Sequence, residues 1–134
     1  MEIKLNELSQ SALAYLGDSV VELCVRTLLV KKGYTKSKTL NAAALEYVTA
    51  SAQAKAVQKI LPFLTEEEAE IYRRGRNMSV NNIPKSASCG EYKMATGFEV
   101  LFGYLHIAGR TKRIEELFSI AYDETEINGG NKNE

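Results

Sequence analysis

The sequence predicts an all-α protein, and three observations support that prediction. Apolar residues recur at the three- and four-residue spacing of a helix along almost the whole chain. No run of β-branched residues alternates with polar ones as a half-buried strand requires. Only two prolines, Pro62 and Pro84, interrupt the 134 residues. A chain of this length is the size of one domain, which we place at residues 1–124 and follow with a flexible polar tail at 125–134.

Composition and charge narrow the class of protein. With 45% hydrophobic and 25% charged residues, the chain has the composition of an ordinary globular domain. Its 17 basic residues equal its 17 acidic ones, so a nucleic-acid surface requires local clustering of charge. No apolar run reaches the roughly 20 residues of a membrane span, and the N-terminus lacks a secretion signal pattern. We therefore expect no membrane partner and a cytoplasmic location.

The two cysteines and the single histidine argue against a structural zinc site. Cys24 and Cys89 lie far apart in sequence, and neither forms a motif with His106. We interpret both cysteines as small core residues and His106 as a structural residue with a local hydrogen bond. The tyrosines at helical apolar positions are interpreted as core or interface aromatics: Tyr15, Tyr72, Tyr92 and Tyr104.

The first helix is expected to begin near Asn6 or Ser9 and to end at Lys32. Its core face is predicted from apolar residues at helical spacing, namely Leu8, Ala12, Leu16, Val20, Leu23 and Leu28. Gly33 follows two lysines, and a glycine in this place commonly closes a helix whose last turn is basic.

An alanine-rich segment then predicts two helices separated by a short break. The segment opens at residues 35–38, and its alanines favour helix formation. A hydroxyl within Thr49–Ser51 is expected to cap the second of these helices. Leu61 and Pro62 are expected to end it, because proline cannot continue a helix.

Two capping boxes mark the helices of the second half. Thr65 and Glu68 begin one helix, and Ser88 and Glu91 begin another, which is strongly apolar. Between these helices lies an irregular segment, residues 78–87, which is rich in Asn and Ser; long loops of this kind are often functional. Thr111 is expected to cap a last amphipathic helix.

Each of the two most apolar helices holds glycine and an acid where a core helix favours neither. Asp18 follows Gly17 in the first helix, and Glu99 lies between Gly97 and Gly103 in the second. If the helices pack together, the two carboxylates meet and must share a proton, find a cation or bind a hard metal. Magnesium fits, because one or two carboxylates and water commonly hold it, and metal-bound water can attack a phosphodiester. The alternative is a helix whose polar edge includes Asp18.

Glu22 lies one turn beyond Asp18 on the first helix. It either joins the acidic site or has a surface or subunit-interface role, and the surface role is the simpler interpretation. The sequence leaves both alternatives open.

A basic segment is the second candidate functional feature. Between residues 73 and 93 the chain has five basic residues against the single acid Glu91. A basic, Asn-rich loop beside a carboxylate site suits a phosphate backbone. The alternative is a solvated helix end followed by a surface loop. The residues considered for phosphate contact are Arg74, Arg76, Asn77, Lys85 and Lys93.

The stretch from Leu13 to Glu22, Leu-Ala-Tyr-Leu-Gly-Asp-Ser-Val-Val-Glu, resembles the signature helix of ribonuclease III catalytic domains. The stretch from Ala95 to Leu105 resembles the second catalytic helix of that fold. Residues 74–77, the following loop and residues 92–105 together resemble bacterial mini-ribonuclease III more narrowly. That family has the catalytic domain without an appended double-stranded-RNA-binding domain. The resemblance covers about residues 5–120 in matching order and spacing.

By this resemblance, Asp18 and Glu99 align with metal-binding, catalytic carboxylates. Two departures matter: Ala14 and Thr96 stand where full-length ribonuclease III has further acids. The chain therefore retains two of four carboxylates, a pattern that resembles the mini family itself. With fewer protein oxygens, more of a bound metal's shell must come from water or RNA phosphate.

The resemblance implies the ribonuclease III endonuclease fold, assembled as a helical homodimer whose first helix supplies much of the interface. It implies a Mg²⁺-dependent endoribonuclease that cleaves double-stranded RNA. The implied substrate is the stem of the large-subunit (23S) ribosomal RNA precursor, and a ribosomal protein is a further partner to consider. A-form RNA is read mostly by shape and backbone, so a small domain with few base-reading residues is physically sensible.

Two other functions are weighed against this one. Loss of acids at Ala14 and Thr96 favours a non-catalytic RNA-binding or ribosome-associated protein of the same fold, whereas retention of Asp18 and Glu99 argues against it. A helical dimerisation module without RNA is the second alternative, and the basic segment argues against that one.

Overall fold

The computed structural model describes residue 4, residues 7–78 and residues 88–122, and these are helical apart from short connections and caps. The predicted tail at 125–134 and most of the predicted loop at 78–87 lie outside these residues. Six α-helices follow in order: α1 (Gln10–Lys31), α2 (Ser37–Val48), α3 (Ala50–Ile60), α4 (Glu66–Arg76), α5 (Cys89–Ile107) and α6 (Thr111–Ala121). A single 3₁₀ turn, Leu61–Phe63, connects α3 to α4. The described residues contain no strand, which confirms the all-α prediction, and none of their helices is both long and apolar enough to cross a membrane.

Helix α5 is the centre of the fold. It packs mainly against α1, α4 and α3, and it also contacts α6. Its large apolar residues are fully buried: Phe98, Leu101, Phe102 and Leu105. A helix that is buried on nearly all sides must be apolar on nearly all sides, which explains why its sequence lacks a polar face.

Glycines allow α1 and α5 to approach each other closely. A Cβ atom on Gly17 would lie 1.7 Å from the backbone oxygen of Glu99, and one on Gly103 would lie 2.1 Å from the backbone oxygen of Leu13. No side chain fits in either place. The interior glycines that suggested a functional site therefore have a packing role, and that role brings the backbone of Glu99 against the residue that precedes Asp18.

The predicted core face of α1 was partly wrong. The buried apolar residues are Leu13, Val20, Val21, Val25 and Leu29. Of the predicted set, Val20 is buried, three residues are partly buried against the core and two are exposed: Leu8, Leu16 and Leu28, and Ala12 and Leu23, respectively. Because α1 is apolar around most of its circumference, the spacing alone did not select a face; the contact at Gly17 does so. Large apolar side chains remain exposed elsewhere on α1, at Tyr15, Leu23 and Val30.

Most predicted helix ends are confirmed. The hydroxyl oxygens of Ser9 and Thr49 accept the N–H groups of Ala12 at 3.0 Å and of Ala52 at 3.2 Å. Thr65 and Ser88 form complete capping boxes with Glu68 and Glu91. Gly33 and Gly109 have φ angles of +99° and +75°, the left-handed conformation that favours glycine after a helix.

Two interpretations of single residues were wrong. Thr111 is the first residue of α6 and does not cap it; Arg110 occupies the N-cap and makes no side-chain capping bond. Cys89 is exposed, because it is the first residue of α5 and lies outside the packed region, whereas Cys24 is half-buried.

An ion-pair cluster joins α4 to α6. Glu68 is only 2% exposed, and the Arg113 guanidinium donates to both of its carboxylate oxygens, at 2.7 and 2.8 Å. Arg113 also donates to the backbone oxygen of Phe63 at 2.7 Å. Burial alone raises the pKa of Glu68, but the hydrogen bonds from Arg113 and Thr65 hold that pKa below its ordinary value. This buried pair had no distinctive signal in the sequence.

Candidate active site

Asp18 of α1 and Glu99 of α5 line one cleft of about 820 Å³. The cleft lies where the two helices are in closest contact, and α3 forms a further wall. Because Gly17 packs directly against the backbone of Glu99, the adjacent Asp18 is brought beside the Glu99 side chain. The predicted meeting of these two acids is therefore present in the structure.

The two carboxyl groups interact directly. Burial, the negative charge of Asp18 and a hydrogen bond between the two side chains raise the pKa of Glu99 to about 8. Glu99 is half-buried, whereas Asp18 is exposed toward the cleft. With a pKa of about 8 the Glu99 carboxyl favours its protonated form near neutral pH, and a divalent cation bound beside it can take the place of that proton.

The donor set fits a hard divalent cation with few protein ligands. No group of three or more His, Cys, Asp or Glu side chains suited to a metal occurs in residues 7–78 and 88–122. Asp18 and Glu99 thus provide carboxylate oxygens from two helices, and water or substrate must fill the remaining positions. Mg²⁺ is commonly bound in this way, with one or two carboxylates and several waters.

The two positions that lack the expected acids also border the cleft. Ala14 lies one turn before Asp18, and Thr96 lies one turn before Glu99, and both line the same cavity. The Thr96 hydroxyl donates to the backbone oxygen of Tyr92 at 3.0 Å, so it is occupied within its own helix. Acids at these positions would face the carboxylate pair; here the cleft wall is neutral.

Several other sequence-based candidates lie outside this cleft. Gly97 packs against Tyr72 of α4 and not against α1, so it does not mirror Gly17. Glu22 forms a surface ion pair with Arg26 at 3.0 Å and is not part of the cleft lining, in agreement with the surface interpretation. His106 is exposed and borders a separate groove between α1 and α6.

None of the described basic residues of the segment lines the cleft. Arg74 donates to Glu70 at 3.0 Å, and Arg73 pairs with the same carboxylate. Arg76 lies over the Tyr72 ring and donates to the Asn77 side chain at 3.3 Å.

The cleft lining includes Met78, the residue after Asn77, and Tyr92, the residue before Lys93. Lys93 itself is half-buried on α5. Lys85 falls outside the described residues. Contact of these residues with RNA stays a prediction.

Sequence reasoning missed the wall that α3 forms. Thr49, Ser51 and Gln53 line the cleft opposite the carboxylates' helices. The sequence predicted the break before α3 but gave no signal that this break faces Asp18. Tyr15, interpreted as a core or interface aromatic, is 84% exposed at the cleft and is not a core residue.

Comparison with known proteins agrees with this geometry. Residues 11–110 match the family described as "Ribonuclease III domain". A "Mini-ribonuclease 3" of Symbiobacterium thermophilum is 46% identical over 111 residues, which span 83% of this chain and 85% of that protein. A protein of the same name from Streptococcus pneumoniae is 40% identical and spans 92% of this chain and 98% of its own length.

A solved structure shares the fold. The crystal structure of protein FN1578 from Fusobacterium nucleatum superposes with a TM-score of 0.80 and 30% sequence identity. The superposition covers 89% of this chain and 95% of that one. The similarity therefore extends over the helices that form the cleft.

Proposed function

This chain belongs to the ribonuclease III family, in its mini-ribonuclease 3 group, and is an endoribonuclease; on that premise we propose that it cleaves double-stranded RNA with Mg²⁺ at Asp18 and Glu99. The observation that supports this site most directly is the contact between the two carboxyl groups in the cleft, where burial, together with the charge and hydrogen bond of Asp18, raises the pKa of Glu99 to about 8. Two acids held this close are costly unless a proton or a cation lies between them.

The chain's own residues provide the binding geometry for catalysis. Asp18 and Glu99 hold the cation from two helices whose separation is fixed by the Gly17 contact. Bound there, magnesium supplies an activated water and stabilises negative charge on the phosphodiester. Glu99 must give up its proton when the cation binds, so cleavage requires a pH at which that exchange is favourable.

The basic segment is assigned to the RNA backbone. Arg74 and Arg76 lie in the last turn of α4, Asn77 caps it directly before Met78 of the cleft lining, and Lys93 lies on α5. With Lys85 they form the phosphate-binding set, which positions duplex RNA without reading its sequence. The substrate within this proposal is the stem of the 23S ribosomal RNA precursor in the cytoplasm, with a ribosomal protein as a further partner.

We assign the exposed apolar side of α1 to a homodimer interface. Tyr15 is 84% exposed, Leu23 is 66% exposed and Val30 is 62% exposed, all on the first helix. Large apolar side chains this exposed on one helix favour a protein partner. Light scattering of the purified chain should give twice the monomer mass, and Leu23→Glu should shift it toward the monomer; a monomeric wild type contradicts the assignment.

The alternative of a non-catalytic RNA-binding protein is not supported. The chain lacks acids at Ala14 and Thr96, but it keeps two carboxylates in mutual contact beside the basic segment. A protein that only bound RNA would place negative charge next to phosphate without any gain in affinity.

One assay tests the proposed chemistry. A long RNA duplex is incubated with the wild type, with Asp18→Asn and with Glu99→Gln, each with and without Mg²⁺. We expect magnesium-dependent cleavage by the wild type only. Glu22→Gln is the matched control, because Glu22 lies one turn from Asp18 but outside the cleft, and it should cleave normally.

Two results would contradict the proposal. Absence of duplex cleavage by the wild type with any divalent metal would remove the function. Full cleavage by both cleft variants would remove the site assignment. A 23S precursor stem and an unrelated duplex, compared at equal concentration, then test the substrate.

A further inference from the structure

Gln53 is the one polar side chain on the α3 wall of the cleft, within the described residues, that is almost completely buried. It is 2% exposed and lies on the first turns of α3. Its side chain lines the same cleft as Asp18 and Glu99. An amide in this position needs hydrogen-bond partners, because burying one without them costs free energy.

Within residues 7–78 and 88–122, no side-chain hydrogen bond of Gln53 is formed, whereas its backbone N–H is used normally by the helix, donating to Thr49 at 2.9 Å. Each of two threonine hydroxyls along the cleft makes one hydrogen bond within its own helix. Thr49 accepts from Ala52, and Thr96 donates to Tyr92. The free hydrogen-bonding capacity of the Gln53 amide is therefore directed to whatever enters the cleft.

The start of α3 indicates what kind of group enters there. Ala50 and Ser51 line the cleft and belong to the first turn, whose N–H groups have no acceptor within the helix. That end of the helix has partial positive charge and favours an anion. A phosphate at the end of α3 would place its adjoining ribose within the same cleft as Gln53.

We propose that Gln53 is a substrate-positioning residue that hydrogen-bonds the ribose–phosphate backbone of duplex RNA within the cleft. The inference rests on the proposed function, since it takes RNA as the ligand of the carboxylate site. A primary amide both donates and accepts, so it can donate to a phosphate oxygen or accept from a ribose 2′-hydroxyl. Both groups are displayed along the minor groove of A-form RNA.

The test replaces the amide without changing its size. Gln53→Met keeps the length and removes the hydrogen-bonding groups, and Gln58→Met is the control, because Gln58 is an exposed glutamine on the same helix. We measure thermal unfolding, duplex affinity in EDTA, and kcat and KM for cleavage with Mg²⁺. Gln53→Met should leave the unfolding temperature nearly unchanged, because the replaced amide lines the cleft and makes no hydrogen bond to another side chain in the described residues.

The same variant should weaken duplex affinity by about five- to tenfold, the range for one lost hydrogen bond, and by more if the partner is the charged phosphate. It should raise KM by a similar factor with little change in kcat, because the contact is made equally in the bound and reacting states. Gln58→Met should match the wild type in every measurement. Gln53→Glu, in which a carboxylate faces phosphate, should lose more affinity than Gln53→Met and provides a second variant should the first fail to fold.

Duplexes with single 2′-deoxy substitutions identify the contacted atom. If the difference between wild type and Gln53→Met disappears at one substituted position, the ribose hydroxyl is the partner. If the difference persists at every position, the phosphate is the partner.

The failures are distinguishable. A wild type that cleaves duplex RNA, with Gln53→Met equal to it in affinity and KM, overturns the role of Gln53 and leaves the proposed function intact. A change in oligomeric mass with unchanged RNA affinity also overturns it. A wild type that neither binds nor cleaves duplex RNA overturns the proposed function itself.

Discussion

Replacement of Gly17 by alanine tests the contact that positions the carboxylate pair. The added Cβ would lie 1.7 Å from the backbone oxygen of Glu99 and 2.5 Å from its carbonyl carbon. An ordinary contact needs about 3.4 Å, so α1 and α5 must separate locally by roughly 1.7 Å. Both atoms belong to a helix backbone, which cannot move aside as a side-chain end can. Asp18 would move with α1 and away from Glu99.

The magnitude follows from two opposing terms. Alanine is a better helix former than glycine by about 1 kcal/mol, which favours the variant. Forcing packed elements apart costs typically 1–3 kcal/mol and more for rigid backbone, and α1 against α5 is a main contact of the core. We expect a net loss of about 2 kcal/mol in the free energy of unfolding, a fall of roughly 6–12 °C in Tm for a chain of this size.

Thermal and urea unfolding measure the loss, and duplex cleavage at a temperature where the variant is folded measures the effect on the site. Gly90→Ala is the matched control, because Gly90 also lies in a helix but a Cβ added there would meet nothing within 4 Å. It should be as stable as the wild type or slightly more so. A Gly17→Ala protein with wild-type stability and cleavage would refute the close packing of α1 on α5 as the cause of the site geometry.

Three further predictions follow from charges. In EDTA, Glu99→Gln should be more stable than the wild type, and the difference in the free energy of unfolding should grow to a few kcal/mol as pH rises from about 5 to 8. The reason is that Glu99, with a pKa raised to about 8, loses its proton over this range and then leaves a charged carboxylate in the folded wild type. Parallel pH–stability curves for the two proteins would contradict this. Glu68→Gln should lower the free energy of unfolding by about 2–4 kcal/mol near pH 7, and the difference from wild type should vanish in acid. The carboxylate with its lowered pKa contributes stability that is lost as pH falls through that pKa. Urea unfolding at pH 7 and pH 3 measures both values, and a pH-independent difference would count against the Glu68–Arg113 pair. The double variant Arg74→Ala, Arg76→Ala should bind duplex RNA more weakly in EDTA, and the slope of log K against log salt concentration should become shallower by up to about 2. Arg26→Ala on α1 is the control and should change neither quantity. An unchanged slope in the double variant would remove these arginines from the interface.

The cleft itself shows which parts of the site were accessible to sequence reasoning. Asp18 and Glu99 were identified because acids in apolar helices are conspicuous and their surrounding stretches resemble two catalytic helices. Gln53 was not identified, because a glutamine among alanines is unremarkable until α3 is seen to face the carboxylates. Such a residue becomes functional through its neighbours in space, and a linear pattern contains no information about them.

The sequence by itself determined the helices and their ends. Capping hydroxyls, capping boxes and closing glycines act over three or four residues, so Thr65 and Ser88 could be assigned before any fold was known, and the caps of α1 and α3 could be placed within a few residues of Ser9 and Thr49. These interactions are local, so neighbouring residues in the chain contain all the information that they require.

Only the tertiary structure decided which face of α1 is buried and what its glycine does. Several faces of that helix are apolar, and burial of any of them would gain hydrophobic free energy. Gly17 and Gly103 permit backbone contact on one side alone, so the helix packs there and leaves Leu23 exposed. The same contact sets Asp18 beside Glu99. These two residues are about eighty positions apart in the chain, and they meet only because the backbones of α1 and α5 come so close at Gly17 that no side chain would fit there.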